Sequence, residues 1–315
     1  ADDGTPLTGT IPTTPGTLPG STTILPLNGS GTSPATASRS TLLVQGVGRP
    51  ISVSPNNGSS IRYYDDVDGR FYRIDGNGNK TALSNKQFYN VDDIRWGNAS
   101  DKAILVFPDQ SKIFYDFTQD RQVTLPSYWE DIKFSPTDEQ IATKSVGRSA
   151  TNRFLVIASP DGNNAKAIEE LGSNQDKVQV SWSPNDQIVA FSHTGEPMGL
   201  DREAVLLIGK EQENFQSLIT SGRGFLPNWS PSGKLLAYSV YQSQNGYLPT
   251  LWVSGASPDN INAGRRNLNL NTWADKCAWQ DETVLICGVP TTLGEGAALQ
   301  RSLFENVPDT IYRIN

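Results

Sequence analysis

The stretch Val180-Ser-Trp-Ser-Pro-Asn-Asp-Gln-Ile-Val-Ala-Phe-Ser192 decides the fold of this chain. It returns, with the same Trp-Ser-Pro centre, as Leu226-Pro-Asn-Trp-Ser-Pro-Ser-Gly-Lys-Leu-Leu-Ala-Tyr-Ser239. Each copy reads as a short strand, a tight turn and a second strand. Proline presets φ for the first central turn position, and serine can hydrogen-bond back to the turn backbone. The pattern therefore predicts a β-hairpin that recurs along the chain.

Six sites share this pattern of a large apolar residue followed by a turn. They begin at Val53, Trp96, Phe134, Trp182, Trp229 and Trp279, at intervals of 43, 38, 48, 47 and 50 residues. A four-stranded propeller blade takes about 40 to 50 residues. The second and sixth units replace Ser-Pro by Gly97-Asn98 and Gln280-Asp281, so the geometry of their turns is not fixed by the repeat.

β-branched and aromatic runs follow each hairpin, for example Phe154–Ala158 and Thr250–Val253. Four strands repeated six times, almost without helical periodicity, predict an all-β fold, a six-bladed β-propeller of four-stranded antiparallel blades. A solenoid of stacked β-coils is the rival, but its repeats are usually shorter. The expected blades span about 49–90, 91–127, 128–174, 175–222, 223–271 and 272–315.

The N-terminal 40 residues have a different composition. Of residues 1–40, 27 are Gly, Pro, Ser or Thr, and the few apolar residues show no period. Such a segment buries too little apolar surface to offset the entropy of ordering it. We therefore expect a flexible, disordered, low-complexity linker over 1–40 and a propeller over 41–315.

The sixth unit reaches Asn315 after its third strand, which would leave an open sheet edge. Two solutions are open. Residues 41–46, which include the apolar run Thr41–Gln45, could close the last blade, or the natural chain could continue beyond Asn315.

The repeated units, Trp-Ser-Pro-x-Gly/Asp-x-x-Leu/Val-Ala-Phe/Tyr, resemble the WD40-like (PD40-type) repeats of TolB-like β-propellers. The resemblance covers about 51–315 and is strongest in the third to fifth units. It implies an extracytoplasmic propeller, periplasmic, cell-surface or secreted, that binds a partner protein. Because such repeats specify a fold and not an activity, the function they imply is an analogy.

Composition excludes some partners. The formal net charge is -7 and the basic residues are scattered, which argues against nucleic acid. No apolar run is long enough to span a bilayer. We expect a monomeric propeller without a transmembrane segment in this chain.

The sequence offers little chemistry. His193 is the single histidine and follows a strand, where a satisfied hydrogen bond is its expected role. No Gly-x-Ser-x-Gly nucleophile elbow occurs. We therefore predict no catalytic residue, no metal site and no cofactor. Cys277 and Cys287 fall on the first two strands of the sixth unit, where they could form a disulfide or remain two buried free thiols.

The loops between second and third strands lengthen from the third unit to the sixth. They carry apolar, aromatic and basic residues, and long loops on a rigid scaffold tend to carry function. The predicted binding residues are Met198, Leu200, Arg202, Tyr241, Tyr247, Leu303 and Phe304. The alternative is that these loops fold inward over the channel mouth.

Three functions fit this sequence. The first is a non-enzymatic module, tethered outside the cytoplasm, that binds a protein or glycan. The second is a carbohydrate-active or other hydrolytic propeller that uses carboxylates near the channel, with candidates Asp92, Asp93, Glu130 and Asp131. The third is a structural component of a surface assembly.

Overall fold

The computed structural model describes residues 52–53, 60–196, 198–213 and 215–315. In this part of the chain, 23 strands form six antiparallel sheets, five of four strands and one of three. The all-β fold predicted from the repeat, a six-bladed propeller of four-stranded blades, is confirmed. The expected linker 1–40 and the closing segment 41–46 lie outside the described residues.

The strands follow the chain blade by blade. Blade 1 contains β1 (Ser52–Val53), β2 (Ser60–Asp65), β3 (Arg70–Asp75) and β4 (Lys80–Ala82). Blade 2 contains β5 (Asp93–Trp96), β6 (Lys102–Val106), β7 (Lys112–Asp116) and β8 (Arg121–Leu125). Blade 3 contains β9 (Trp129–Phe134), β10 (Ile141–Val146), β11 (Arg153–Ala158) and β12 (Lys166–Glu170).

The second half repeats this order. Blade 4 contains β13 (Val178–Val180), β14 (Ile188–Ser192), β15 (Glu203–Gly209) and β16 (Leu218–Thr220). Blade 5 contains β17 (Arg223–Trp229), β18 (Leu235–Tyr241), β19 (Thr250–Gly255) and β20 (Arg266–Asn267). Blade 6 contains β21 (Cys277–Trp279), β22 (Leu285–Pro290) and β23 (Asp309–Ile314).

Five short 3-10 helices lie between the strands. They span Ala150–Asn152, Gly172–Lys177, Ser243–Asn245, Ala274–Lys276 and Arg301–Phe304. Each lies either between the second and third strands of a blade or before the first strand, so all five occupy the same face of the propeller. The last of them, Arg301–Phe304, is a single turn in the long loop between β22 and β23 of blade 6.

Five buried apolar clusters each join two consecutive blades, from blades 1 and 2 to blades 5 and 6. In five of the six units, the large residue that opens the repeat turn lies in or against one of these clusters: Trp96, Phe134, Trp182, Trp229 and Trp279. Removal of this apolar surface from water is the main force that holds blade to blade. The repeat therefore encodes the contacts between blades as well as the strands within them.

The two units that depart from Ser-Pro use their turns for contacts between blades. In blade 2, the Asp138 carboxylate of blade 3 accepts hydrogen bonds from the backbone N–H groups of Asn98, Ala99 and Ser100. A Cβ at Gly97 would lie 2.5 Å from Asp138 Oδ2, so the turn needs glycine there. In blade 6, the Glu282 carboxylate accepts hydrogen bonds from Ser232 of blade 5.

The third strand of blade 6 is an exposed edge. β23 pairs with β22 from Leu285↔Ile314 to Pro290↔Asp309. Among the described residues, β23 is the last strand of its sheet, and Ile311 and Tyr312 are exposed. This edge is where the sequence predicts that residues 41–46 would close the blade.

Candidate functional site

Three long loops on blades 4, 5 and 6 lie side by side on one face. We call residues 194–202, 241–249 and 291–308 the loop face. Hydrogen bonds connect the three loops in order. Asp201 accepts from the backbone N–H and hydroxyl of Ser243 at 3.0 and 2.6 Å, and the Gly246 and Tyr247 carbonyls accept from the Gly296 and Ala298 N–H groups.

The bond between Asp201 and Ser243 is electrostatic in character. Hydrogen bonds from the Ser243 hydroxyl and then its backbone N–H hold the pKa of Asp201 below its ordinary value. A depressed carboxyl pKa means that the contact is fully present near neutral pH and is lost only as the pH falls through the lowered pKa. The first and second loops are therefore joined under ordinary conditions.

Apolar side chains project from the loop face into solvent. Leu200 is 79% exposed, Leu303 is 70% exposed and Leu299 is 55% exposed. Met198 and Tyr247 are each more than one-third exposed. These exposed apolar residues lie on three loops that are hydrogen-bonded to one another, and a concentration of such residues is typical of an interaction surface.

The remaining predicted binding residues have different positions on the same face. Arg202 is exposed, whereas Tyr241 and Phe304 are half-buried. The Tyr241 ring lies 6.1 Å from that of Tyr247 and covers Gly224, where a Cβ would meet the ring at 2.3 Å. Tyr241 thus supports the exposed Tyr247 from below.

A cavity of about 380 Å³, lined by charged residues, glycines and Phe225, adjoins the loop face between blades 4 and 5. His193 Nδ1 lies 2.8 Å from Glu203 Oε1, and the His193 ring contacts Phe225 edge-on. Arg223 donates to the carbonyls of Leu200 and Gly199 at 2.7 and 3.1 Å. It therefore fixes the loop that carries the exposed Leu200.

Arg202 is the one residue lining this cavity that the sequence predicted for binding, because most of the other polar residues come from three separate strand ends. His193 follows β14, Glu203 opens β15 and Arg223 opens β17. The sequence does show one common feature of these three residues. Each is a charged or titratable residue at the end of a strand, on the same face of neighbouring blades. Only the pairing of β14 with β15 and the packing of blade 4 on blade 5 bring them together.

The carboxylates considered for hydrolysis lie at the entry to blades 2 and 3. Asp93 Oδ2 pairs with Arg95 Nη2 at 2.5 Å, and Asp131 Oδ2 accepts from the Val180 N–H at 2.8 Å. Asp92 and Glu130 are exposed. Asp93 and Asp131 therefore bind groups of the protein itself.

Cys277 and Cys287 lie directly opposite each other where β21 pairs with β22. Their Cα atoms are 4.0 Å apart, and the two sulfurs form a disulfide. Both residues pack in the cluster between blades 5 and 6. The bridge fixes the first two strands of the last blade.

No group of three or more His, Cys, Asp or Glu side chains in the described part of the chain is arranged to hold a metal ion. No helix there has both the length and the apolar character needed to cross a membrane.

Comparison with solved structures places this fold beside other propellers. An oligogalacturonate lyase in complex with manganese aligns with a TM-score of 0.56 at 16% identity, over 83% of this chain and 72% of that one. Oligogalacturonate lyase from Vibrio parahaemolyticus aligns with a TM-score of 0.58 at 12% identity, over 86% and 79%. TolB from Acinetobacter baumannii gives 0.44 at 14% identity, over 70% and 54%.

No protein-family model matches the sequence, and no curated protein matches it significantly. At identities of 16% or less, the structural similarities establish the propeller fold alone. They do not decide between a binding module and an enzyme, because one fold carries many unrelated functions.

Proposed function

We propose that this chain is a non-enzymatic binding module and that the loop face of blades 4 to 6 binds a partner protein. One observation carries this proposal: exposed apolar side chains project from loops that are hydrogen-bonded to one another. An apolar patch on a fixed scaffold is the usual form of a protein-binding surface.

The hydrogen bonds that hold the three loops in place lower the entropic cost of binding. Asp201 joins the first loop to the second, and Gly246 and Tyr247 join the second to the third. Arg223 fixes the backbone at Gly199 and Leu200. Because these contacts order the loops before a partner arrives, little conformational entropy is lost on association.

The chemistry of the patch favours a protein over a glycan. Leu200, Leu299 and Leu303 offer aliphatic surface that gains free energy when another apolar surface covers it. A sugar presents mainly hydroxyl groups, which need hydrogen-bonding partners when they are buried. Tyr247 is the side chain of this patch that would serve either partner, since tyrosine has an apolar ring and a polar hydroxyl.

The disulfide supports a location outside the cytoplasm. Disulfides persist in the periplasm, at cell surfaces and in secreted proteins, and they are rare where thiol reductants are abundant. The bridge between Cys277 and Cys287 therefore accords with an extracytoplasmic module. We propose that residues 1–40 act as the tether of that module.

The test begins with photo-crosslinking in the native cell. A photo-reactive amino acid at position 200 should capture a partner that the same amino acid at Val67 does not. Val67 is a suitable control because it is 92% exposed but lies in blade 1, outside the loop face. The captured protein is then purified and its affinity for the propeller is measured by calorimetry.

The variants Leu200→Ser and Leu303→Ser should each weaken that affinity about tenfold or more, since a buried leucine contributes about 1.5–3 kcal/mol. Val67→Ser should leave the affinity unchanged. A partner that binds the two leucine variants as tightly as the unmodified chain would exclude the loop face as its binding site. A glycan array probed with the same variants would show whether the surface recognises sugars instead.

A further inference from the structure

A second cavity, of about 340 Å³, lies along the inner wall of the propeller. It is lined by residues of blades 2, 3 and 4 that belong to or directly follow the first strand of each blade. In a propeller the blades surround a central channel. The polar part of this wall consists of Arg95, Asn98, Lys133 and Ser181.

Three of these residues hold the same position in their repeats. Arg95 precedes Trp96, Lys133 precedes Phe134 and Ser181 precedes Trp182. Because each repeat turn sits at the same level of the ring, the three side chains lie in one row across neighbouring blades. The row places a guanidinium, an ammonium and a hydroxyl side by side.

Lys133 is exceptional among the inward lysines of blades 2 and 3. Lys112 Nζ donates to the Gln110 and Ser127 carbonyls at 2.9 Å each, and Lys144 Nζ donates to the Val178 carbonyl at 3.1 Å. Lys133 is half-buried, yet within the described part of the chain no acceptor or ion-pair partner faces its ammonium. A half-buried ammonium without a partner carries a desolvation cost that a bound anion would offset.

The nearest acids are already engaged. Asp93 pairs with Arg95 and accepts from the Ile94 N–H, and Asp131 accepts from the Val180 N–H. Burial lowers the pKa of Lys133, and the charge of Arg95 lowers it further, whereas Asp131 and Asp93 oppose the shift. Asp93 and Asp131 therefore act on Lys133 only from beyond ion-pair distance, and they do not offset the effect of its burial.

We propose that this cavity binds a small oxyanion, a carboxylate or phosphate group, with Lys133 as its counter-ion. Arg95 is a second donor. Its Nη2 pairs with Asp93, and its other guanidinium N–H groups remain available to the ligand. Ser181 Oγ accepts from Trp229 Nε1 at 3.0 Å, so its own hydrogen is free to donate to the ligand. The site is separate from the loop face, and either can fail without the other.

The experiment measures the unfolding temperature of the unmodified chain with inorganic phosphate or acetate against NaCl at equal ionic strength. At ten times its dissociation constant, a bound anion should raise the unfolding temperature by about 3–6 °C. A rise with phosphate alone or with acetate alone identifies which oxyanion the cavity accepts. If neither anion raises it above the NaCl value, the proposal is wrong.

Lys133→Met keeps the length of the side chain and removes its charge. This variant should lose the anion-dependent rise, while its unfolding temperature in NaCl should equal or exceed that of the unmodified chain. Lys234→Met, at an exposed lysine, is the matched control and should keep the rise. Arg95→Gln should weaken anion binding and provides the test if Lys133→Met does not fold. An equal rise in Lys133→Met or Arg95→Gln and in the unmodified chain would overturn the assignment.

Discussion

Asp138 is the buried acceptor that joins the repeat turns of blades 2 and 3. Its side chain is fully buried. Oδ1 accepts from the Asn98 N–H at 2.6 Å, and Oδ2 accepts from the Ala99 and Ser100 N–H groups and the Ser100 hydroxyl at 2.7–2.9 Å. The carboxylate also offsets the charge of the buried Arg62. Asp138→Asn is the substitution that tests this arrangement with little change of shape.

The expected cost follows from these four hydrogen bonds. Asparagine has one acceptor oxygen, and its best orientation keeps the three bonds at the Oδ2 position. Its amide group then faces the Asn98 N–H, so two donors oppose each other in a buried site. The variant loses one charged hydrogen bond and leaves the Asn98 N–H unsatisfied beside the buried side chain, which together should lower the free energy of unfolding by about 2–4 kcal/mol. Asp138 has φ +58°, which asparagine tolerates, so no backbone cost is added.

Asp186 provides the matched control because it holds the same position in the next repeat and has φ +60°. Its side chain is 45% exposed, accepts from Trp182 Nε1 at 2.8 Å and pairs with Lys210. Asparagine keeps an oxygen for Trp182 and loses only an exposed ion pair. Asp186→Asn should therefore cost at most about 1 kcal/mol.

Urea unfolding followed by tryptophan fluorescence measures both variants, with circular dichroism as a second probe of two-state behaviour. Asp138→Asn should be less stable than Asp186→Asn by at least about 1 kcal/mol, with equal m-values for the two variants. If the two variants have the same stability, the buried carboxylate does not hold the blades together in the way described.

Three further predictions concern the last blade and its neighbours. Cys277 and Cys287 lie ten residues apart, and reduction of their disulfide should lower the free energy of unfolding by about 2.7 kcal/mol. Urea titrations with and without reductant measure this change, and equal unfolding midpoints would contradict it. Glu282→Gln should destabilise the contact between blades 5 and 6 by about 1–3 kcal/mol in the same assay, whereas the exposed Glu211→Gln should have no effect. If residues 41–46 close the sixth blade along β23, deletion of residues 1–46 should lower the unfolding temperature, whereas deletion of residues 1–40 should not. Equal unfolding temperatures for the two shortened chains would exclude this closure.

The repeat by itself determined the architecture. A large apolar residue followed by a turn, repeated at intervals of 38 to 50 residues, specifies hairpins, and the same large residue specifies the apolar contact between blades. The lengthening of the loops toward the sixth unit located the loop face. These features are local, because the residues that determine each strand, turn and blade lie within a few tens of residues of one another in the sequence.

The chemistry within that architecture was decided by tertiary structure. Asp138 and Asp186 occupy the same repeat position, yet one is buried among backbone N–H groups and the other is exposed. The sequence left the state of Cys277 open, and the register of β21 on β22 places it opposite Cys287.

His193 meets Glu203 only because β14 pairs with β15, and the row from Arg95 to Lys133 exists only because neighbouring blades align their first strands. The physical reason is separation along the chain. Contacts between equivalent positions of successive blades join residues about 40 to 50 apart, and the packing of one blade on the next decides which of them meet.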